Sequence, residues 1–116
     1  MTIKRIHGES KGRCRAVVNA GCVYAVATDT TSSKGITAQT RNALQELDKH
    51  LEDAGSGKTG LLQATVYLSD MSMKAEMDEV WCAWIGDREN WPQRACVGAD
   101  LAGEDLIEIV VTAVVL

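Results

Sequence analysis

The sequence predicts an α+β fold with the element order β-β-β-α-β-α-β-β, and three observations predict it. Two β-branched-rich runs, residues 15–19 and 22–28, are separated only by Ala20-Gly21, the spacing of a tight hairpin. Residues 36–54 carry apolar side chains at steps of three and four, the period of a helix with one buried stripe. Residues 106–116 form a long, nearly continuous apolar run, as expected of a strand covered on both faces.

Taken in order, residues 2–6 alternate weakly and suit an edge strand, the hairpin follows, and 29–35 is a polar loop. In the first helix Ile36, Thr40, Ala43, Leu44, Leu47, Leu51 and Ala54 share a face, and Gly55 stands where a left-handed cap belongs. A loop through Gly57 and Gly60 leads into the strand Leu61–Leu68. Ser72 is the expected N-cap of a second helix, with Glu76 in its first turn. Met73, Met77, Val80, Trp81 and Trp84 form the stripe of that helix, and Gly86 ends it. After Trp91-Pro92 come a short strand at 93–99, a loop at 101–105 and the final strand. One sheet with both helices on the same face leaves an apolar face bare, which predicts burial against other subunits.

The 116 residues suit a single domain, 1–116, that is 46% apolar and 24% charged. A formal charge of −4, with acids and bases interspersed, excludes the clustered positive field that nucleic acid or an anionic membrane requires. No apolar run approaches a membrane span, and Met1-Thr-Ile-Lys-Arg has no apolar stretch behind it. The expected compartment is the cytoplasm, with Cys14, Cys22, Cys82 and Cys96 as reduced thiols. Their spacing fits neither a CxxC pair nor a zinc site, so no metal or cofactor is expected.

Several motifs have ordinary structural readings. Gly55-Ser-Gly-Lys58-Thr59 resembles a phosphate-binding loop, but Glu52 stands where the pattern needs glycine, and the stretch follows a helix instead of opening one. Trp81 and Trp84 lie on an apolar stripe and read as core, whereas Trp91 lies outside it. Asp78 and Glu79 read as a solvated helix face, and His7 and His50 as surface residues without partners. No Ser-His-Asp or Cys-His arrangement emerges from the sequence.

One cluster asks for more. In Pro92-Gln-Arg94-Ala-Cys96-Val97, Arg94 and Cys96 are two apart and share a side of their strand. Glu108 stands between Ile107 and Ile109 in the most apolar segment, where an unpaired carboxylate is costly. Either Arg94 and Glu108 pair between neighbouring strands, or the planar fork of Arg94 captures a ligand carboxylate.

That cluster resembles the C-terminal signature of the RidA/YjgF family, the reactive intermediate deaminases. Thr40-Arg-Asn-Ala-Leu44, Glu52-Asp-Ala-Gly55 and Thr65-Val-Tyr-Leu68-Ser-Asp70 resemble its central region, so the likeness spans essentially the whole chain. The resemblance implies a chorismate-mutase-like subunit, a homotrimeric barrel and ligand sites between subunits. It implies hydrolytic deamination of enamine or imine intermediates, 2-imino acids, to 2-keto acids and ammonia. Arg94 would bind the substrate carboxylate, Glu108 would assist the water, and Cys96 would line the pocket as an inert thiol. Three flanking positions depart from the family pattern. Cys14 stands for a tyrosine, Ala27-Thr28 for Ser-Gly, and Asp78 for an asparagine. These departures suit a divergent subgroup, whether a deaminase for one catabolic intermediate or a non-catalytic ligand-binding or chaperone-like protein using the same cleft.

Overall fold

A computed structural model describes residues 2–116. Its strands are β1 (Lys4–His7), β2 (Cys14–Asn19), β3 (Cys22–Thr28), β4 (Leu61–Leu68), β5 (Gln93–Gly98) and β6 (Ile107–Val114). Two helices, α1 (Ile36–Asp53) and α2 (Lys74–Ile85), complete the expected order. The strands form one six-stranded sheet in the order β1-β2-β3-β6-β4-β5. Every pair is antiparallel except β4 and β5. A parallel pair needs a crossover, and α2 supplies it.

Both helices cover the same face. Ala16, Val23, Ala25, Ala64, Val66, Ile109 and Val111 point from the sheet into a core completed by Leu44, Leu47 and Leu51 of α1 and Met77, Trp81 and Ile85 of α2. The opposite face of β6 is not covered within the chain. Ile107, Ile109, Val111 and Ala113 are buried, but Val110 between them is 39% exposed. The expectation of a strand covered on both faces is therefore corrected within the chain: the helices supply one cover, and the apolar residues of the other face stay open. Tyr24 and Val97 extend that open face on β3 and β5.

The end of α1 follows the sequence reading. Ser56 N–H donates to the Leu51 carbonyl at 2.8 Å and Gly55 N–H to that of Glu52 at 3.0 Å. This double closure requires a left-handed residue, and Gly55 provides it at φ 80°. The following loop is held by bonds to the sheet and to α2. Ser56 Oγ donates to the Val114 carbonyl at 2.6 Å, and Lys58 Nζ donates to the Trp84 carbonyl near the end of α2 at 2.6 Å. Gly60 packs so closely there that a Cβ would meet the Val114 carbonyl oxygen at 2.9 Å.

The start of α2 differs from expectation. Asp70, not Ser72, accepts a backbone N–H, that of Ser72 at 2.9 Å, and a 3-10 turn at Met71–Met73 precedes the helix. The longer reach of the aspartate satisfies the turn, leaving Ser72 inside it.

Three polar residues of α1, Gln39, Thr40 and His50, lie in the core. Gln39 holds two loops to the helix: its amide donates to the Ser33 and Glu104 carbonyls, both at 3.0 Å, and its oxygen accepts from Leu106 N–H at 2.8 Å. His50 is buried rather than a surface residue, and its Nδ1–H donates to the Val26 carbonyl at 3.0 Å. Burial disfavours the imidazolium and carries the histidine below its usual pKa, although the bond to Val26 pulls the other way.

Replacing Gln39 with alanine strips three backbone groups of their partner, and urea unfolding should show a loss of about 3 kcal/mol. His50 takes up its proton at lower pH in the folded chain than in the unfolded one. Its contribution to stability is complete above about pH 6.5, the ordinary histidine value, and is lost as pH falls through the folded value. The melting temperature should drop over that window, and less so in His50→Gln.

Candidate functional site

Strand β5 is an edge strand, and its register sets Arg94 beside Ala64 and Cys96 beside Val66. Both side chains therefore face the helix layer, on the same side as expected. The Arg94 side chain is 19% exposed and runs against α2. Its Nη2 donates to Asp78 Oδ1 at 2.6 Å, Nη1 lies 3.9 Å from Met77 Sδ, and the guanidinium sits 5.2 Å from the centre of the Trp81 ring. Lys74 Nζ donates to the second Asp78 oxygen at 2.7 Å. Asp78 is thus partly buried and paired on both oxygens, which corrects its reading as part of a solvated face. Glu79 is exposed, as expected.

Burial alone would push the Asp78 carboxyl up; the bonds and charges of Lys74 and Arg94 outweigh it and hold the group below its usual range. Burial also pushes the Cys96 thiol up, offset only in part by the Arg94 charge. The protonated thiol is the less nucleophilic form.

Glu108 lies on the other face of the sheet. Its register partners are Thr28 on β3 and Tyr67 on β4, and Tyr67 is three residues from Ala64, the partner of Arg94. With β4 between β5 and β6 and the faces opposed, Arg94 and Glu108 cannot pair within one chain. The arginine's partner is Asp78 instead. Glu108 and Thr28 line an open cleft of about 1170 Å³ with Cys14, Asp105, Glu46 and Lys49. Ala27 borders it too, but its side chain is 3% exposed and belongs to the core.

Cys14 reaches this cleft through an irregularity. The ladder between β1 and β2 shifts at Ile6/His7, so that His7 faces Cys14. His7 Nδ1 lies 3.6 Å from Cys14 Sγ. The displaced Arg15 donates from Nε to the His7 carbonyl at 3.1 Å and reaches Asp53 at 3.5 Å. A Cys-His contact therefore exists where the sequence predicted none. Asp105 is a further residue that the sequence did not single out; burial and the nearby Asp29 charge push its carboxyl up.

The expected core position holds for Trp81 and only in part for Trp84. Trp81 is core at 6% exposure and packs against the half-buried Trp84 at 5.4 Å, while Trp91 is exposed. All four cysteines are free thiols, and no group of three metal-ligating side chains occurs among the described residues.

Residues 11–115 match the family model described as Endoribonuclease L-PSP. A "RutC family protein" of Haemophilus ducreyi is 37% identical over 101 residues, 86% of each chain. The "RutC family protein YoaB" of Escherichia coli is 33% identical over 85 residues, covering 73% of this chain and 74% of its own. Among solved structures, a YjgF-family protein of Neisseria meningitidis superposes with a TM-score of 0.89 at 36% identity, covering 98% of this chain and 95% of its own. A YjgF-family relative from Mycobacterium tuberculosis gives 0.87 at 26% identity, covering 98% and 100%.

Since Lys74 also pairs with Asp78, Arg94→Ala should still fold, with a loss of about 2 kcal/mol in urea unfolding.

Proposed function

The chain belongs to the RidA/YjgF family, in which its matched relatives carry the RutC name, and from that premise we propose that it hydrolyses reactive imines or enamines of 2-imino acids. One observation carries the reading. Arg94 is a half-buried cation, oriented by Asp78 and Trp81 at an open sheet edge, where its remaining donors suit a small carboxylate.

A protonated imine is already electrophilic, so the protein needs to orient it and activate water. Arg94 holds the carboxylate, and Glu108 takes a proton from water as the water oxygen bonds to the imine carbon. The C=N electron pair moves to nitrogen. Glu108 returns its proton to the carbinolamine nitrogen and accepts the hydroxyl proton as C–N breaks, which releases ammonia and leaves the 2-keto acid. Cys96 lines the pocket without attacking, and Thr28 and Cys14 flank Glu108 in its cleft.

Arg94 and Glu108 face opposite ways in one chain, so this chemistry requires the Glu108 face of a second copy to meet the Arg94 edge of the first. A homotrimer satisfies that requirement and covers the open face bearing Tyr24, Val110 and Val97. The reading takes the cytoplasm as compartment, consistent with the free thiols. No helix among the described residues is long and apolar enough to cross a membrane. The matched model's label names RNA cleavage, but a formal charge of −4 with interspersed signs does not favour phosphate binding.

A second reading, ligand binding without turnover, is favoured by the carboxylate of Asp78 already seated on Arg94. It covers a sensor or a chaperone-like protein, as the first covers a deaminase specialised for one catabolic intermediate.

Imines generated in situ by an amino-acid oxidase separate the two. Hydrolysis predicts faster ammonia release, lowered at least about 100-fold in Arg94→Ala and in Glu108→Gln. Calorimetric binding of a 2-keto acid with no effect on release would favour the second reading. Light scattering should return three times the 12.5 kDa chain mass.

A further inference from the structure

We propose that Asp78 sets the charge class of the ligand at Arg94, admitting a carboxylate that also carries a cationic nitrogen in preference to a plain carboxylate anion. The inference rests on Arg94 as the carboxylate site and concerns what else must be present on the molecule it takes.

Asp78 Oδ1 accepts from Nη2 of Arg94 at 2.6 Å. A guanidinium has five donors, so a ligand carboxylate can still use those that Asp78 leaves. It then shares one planar group with a fixed negative charge. Two carboxylates on one guanidinium stand within about 6 Å, the range in which like charges disfavour one another. The Arg94 and Asp78 side chains are 19% and 31% exposed, so water screens the repulsion only in part. At such a site a unit charge changes affinity by about tenfold or more. Lys74 offsets part of the Asp78 charge, but it binds the other oxygen and is 43% exposed.

A cationic nitrogen on the carbon next to the ligand carboxylate removes the penalty. It makes the ligand neutral overall and gives Asp78 an opposite charge to face. A 2-iminium acid and a 2-amino acid have this pattern; a 2-keto acid does not. The same aspartate thus retains the nitrogen-bearing molecule and weakens the hold on the anion left after hydrolysis.

Alanine and pyruvate share a three-carbon skeleton and differ in the cationic nitrogen, so calorimetry with these two probes tests the idea. The expected result is at least about tenfold tighter binding of alanine than of pyruvate to the unmodified protein. Asp78→Asn keeps an oxygen for Arg94 and removes the charge; it should tighten pyruvate about tenfold and erase most of the preference. Asp78→Glu should restore the preference, which a merely structural role would not do. An unchanged alanine-to-pyruvate ratio in Asp78→Asn, with both ligands still lost in Arg94→Ala, would overturn the inference and leave the carboxylate site standing. Absence of Arg94-dependent binding of either ligand, in the unmodified protein and in Asp78→Asn alike, would overturn the site and the inference together. Thermal unfolding of each variant confirms that the comparison is between folded proteins.

Discussion

Strand β6 holds the two halves of the sheet together. On one side it bonds β3, the end of the N-terminal three-stranded unit, and on the other β4, the start of the β4-α2-β5 unit. Among the described residues no other ladder joins these units. The strand is thereby fixed from both sides, and its alternation cannot slip without turning Ile107, Ile109, Val111 and Ala113 out of the core. The same constraint that buries those four holds Glu108 on the far face.

The rest of the candidate site inherits that division. Arg94 reaches α2 because β5 is in register with the core-facing residues of β4, and α2 lies over that face. Glu108 keeps company with Thr28 because β3 and β6 share an antiparallel register. A fold that orients each half so firmly makes neither half complete alone. The open apolar face around Tyr24 and Val110 belongs to the same logic, since it surrounds the outward half.

The fold was legible in the sequence wherever a local period or a cap decides the structure. The stripe of α1, the glycine at its end and the hairpin at Ala20-Gly21 each depend on neighbours a few residues away. Sheet order was not legible, because it depends on which distant strand β6 enters. The partners of polar residues were hidden for the same reason. His50 meets a carbonyl 24 residues away, and Asp78 meets Arg94 across 16. Cys14 and His7 are only seven apart, but a shift in the ladder decides that they meet, and neither residue announces it. Arg94 and Cys96 could be assigned to one side because two-residue spacing on a strand needs no tertiary knowledge. Their placement against Glu108 required the whole topology.

The central place of β6 also sets an order of events during synthesis. Both of its neighbours leave the ribosome first, and until β6 follows, β3 and β4 each present an unpaired edge. Edges of that kind recruit other strands. The two ladders that β6 forms also close the longest loops of the sheet, so they carry its largest closure entropy.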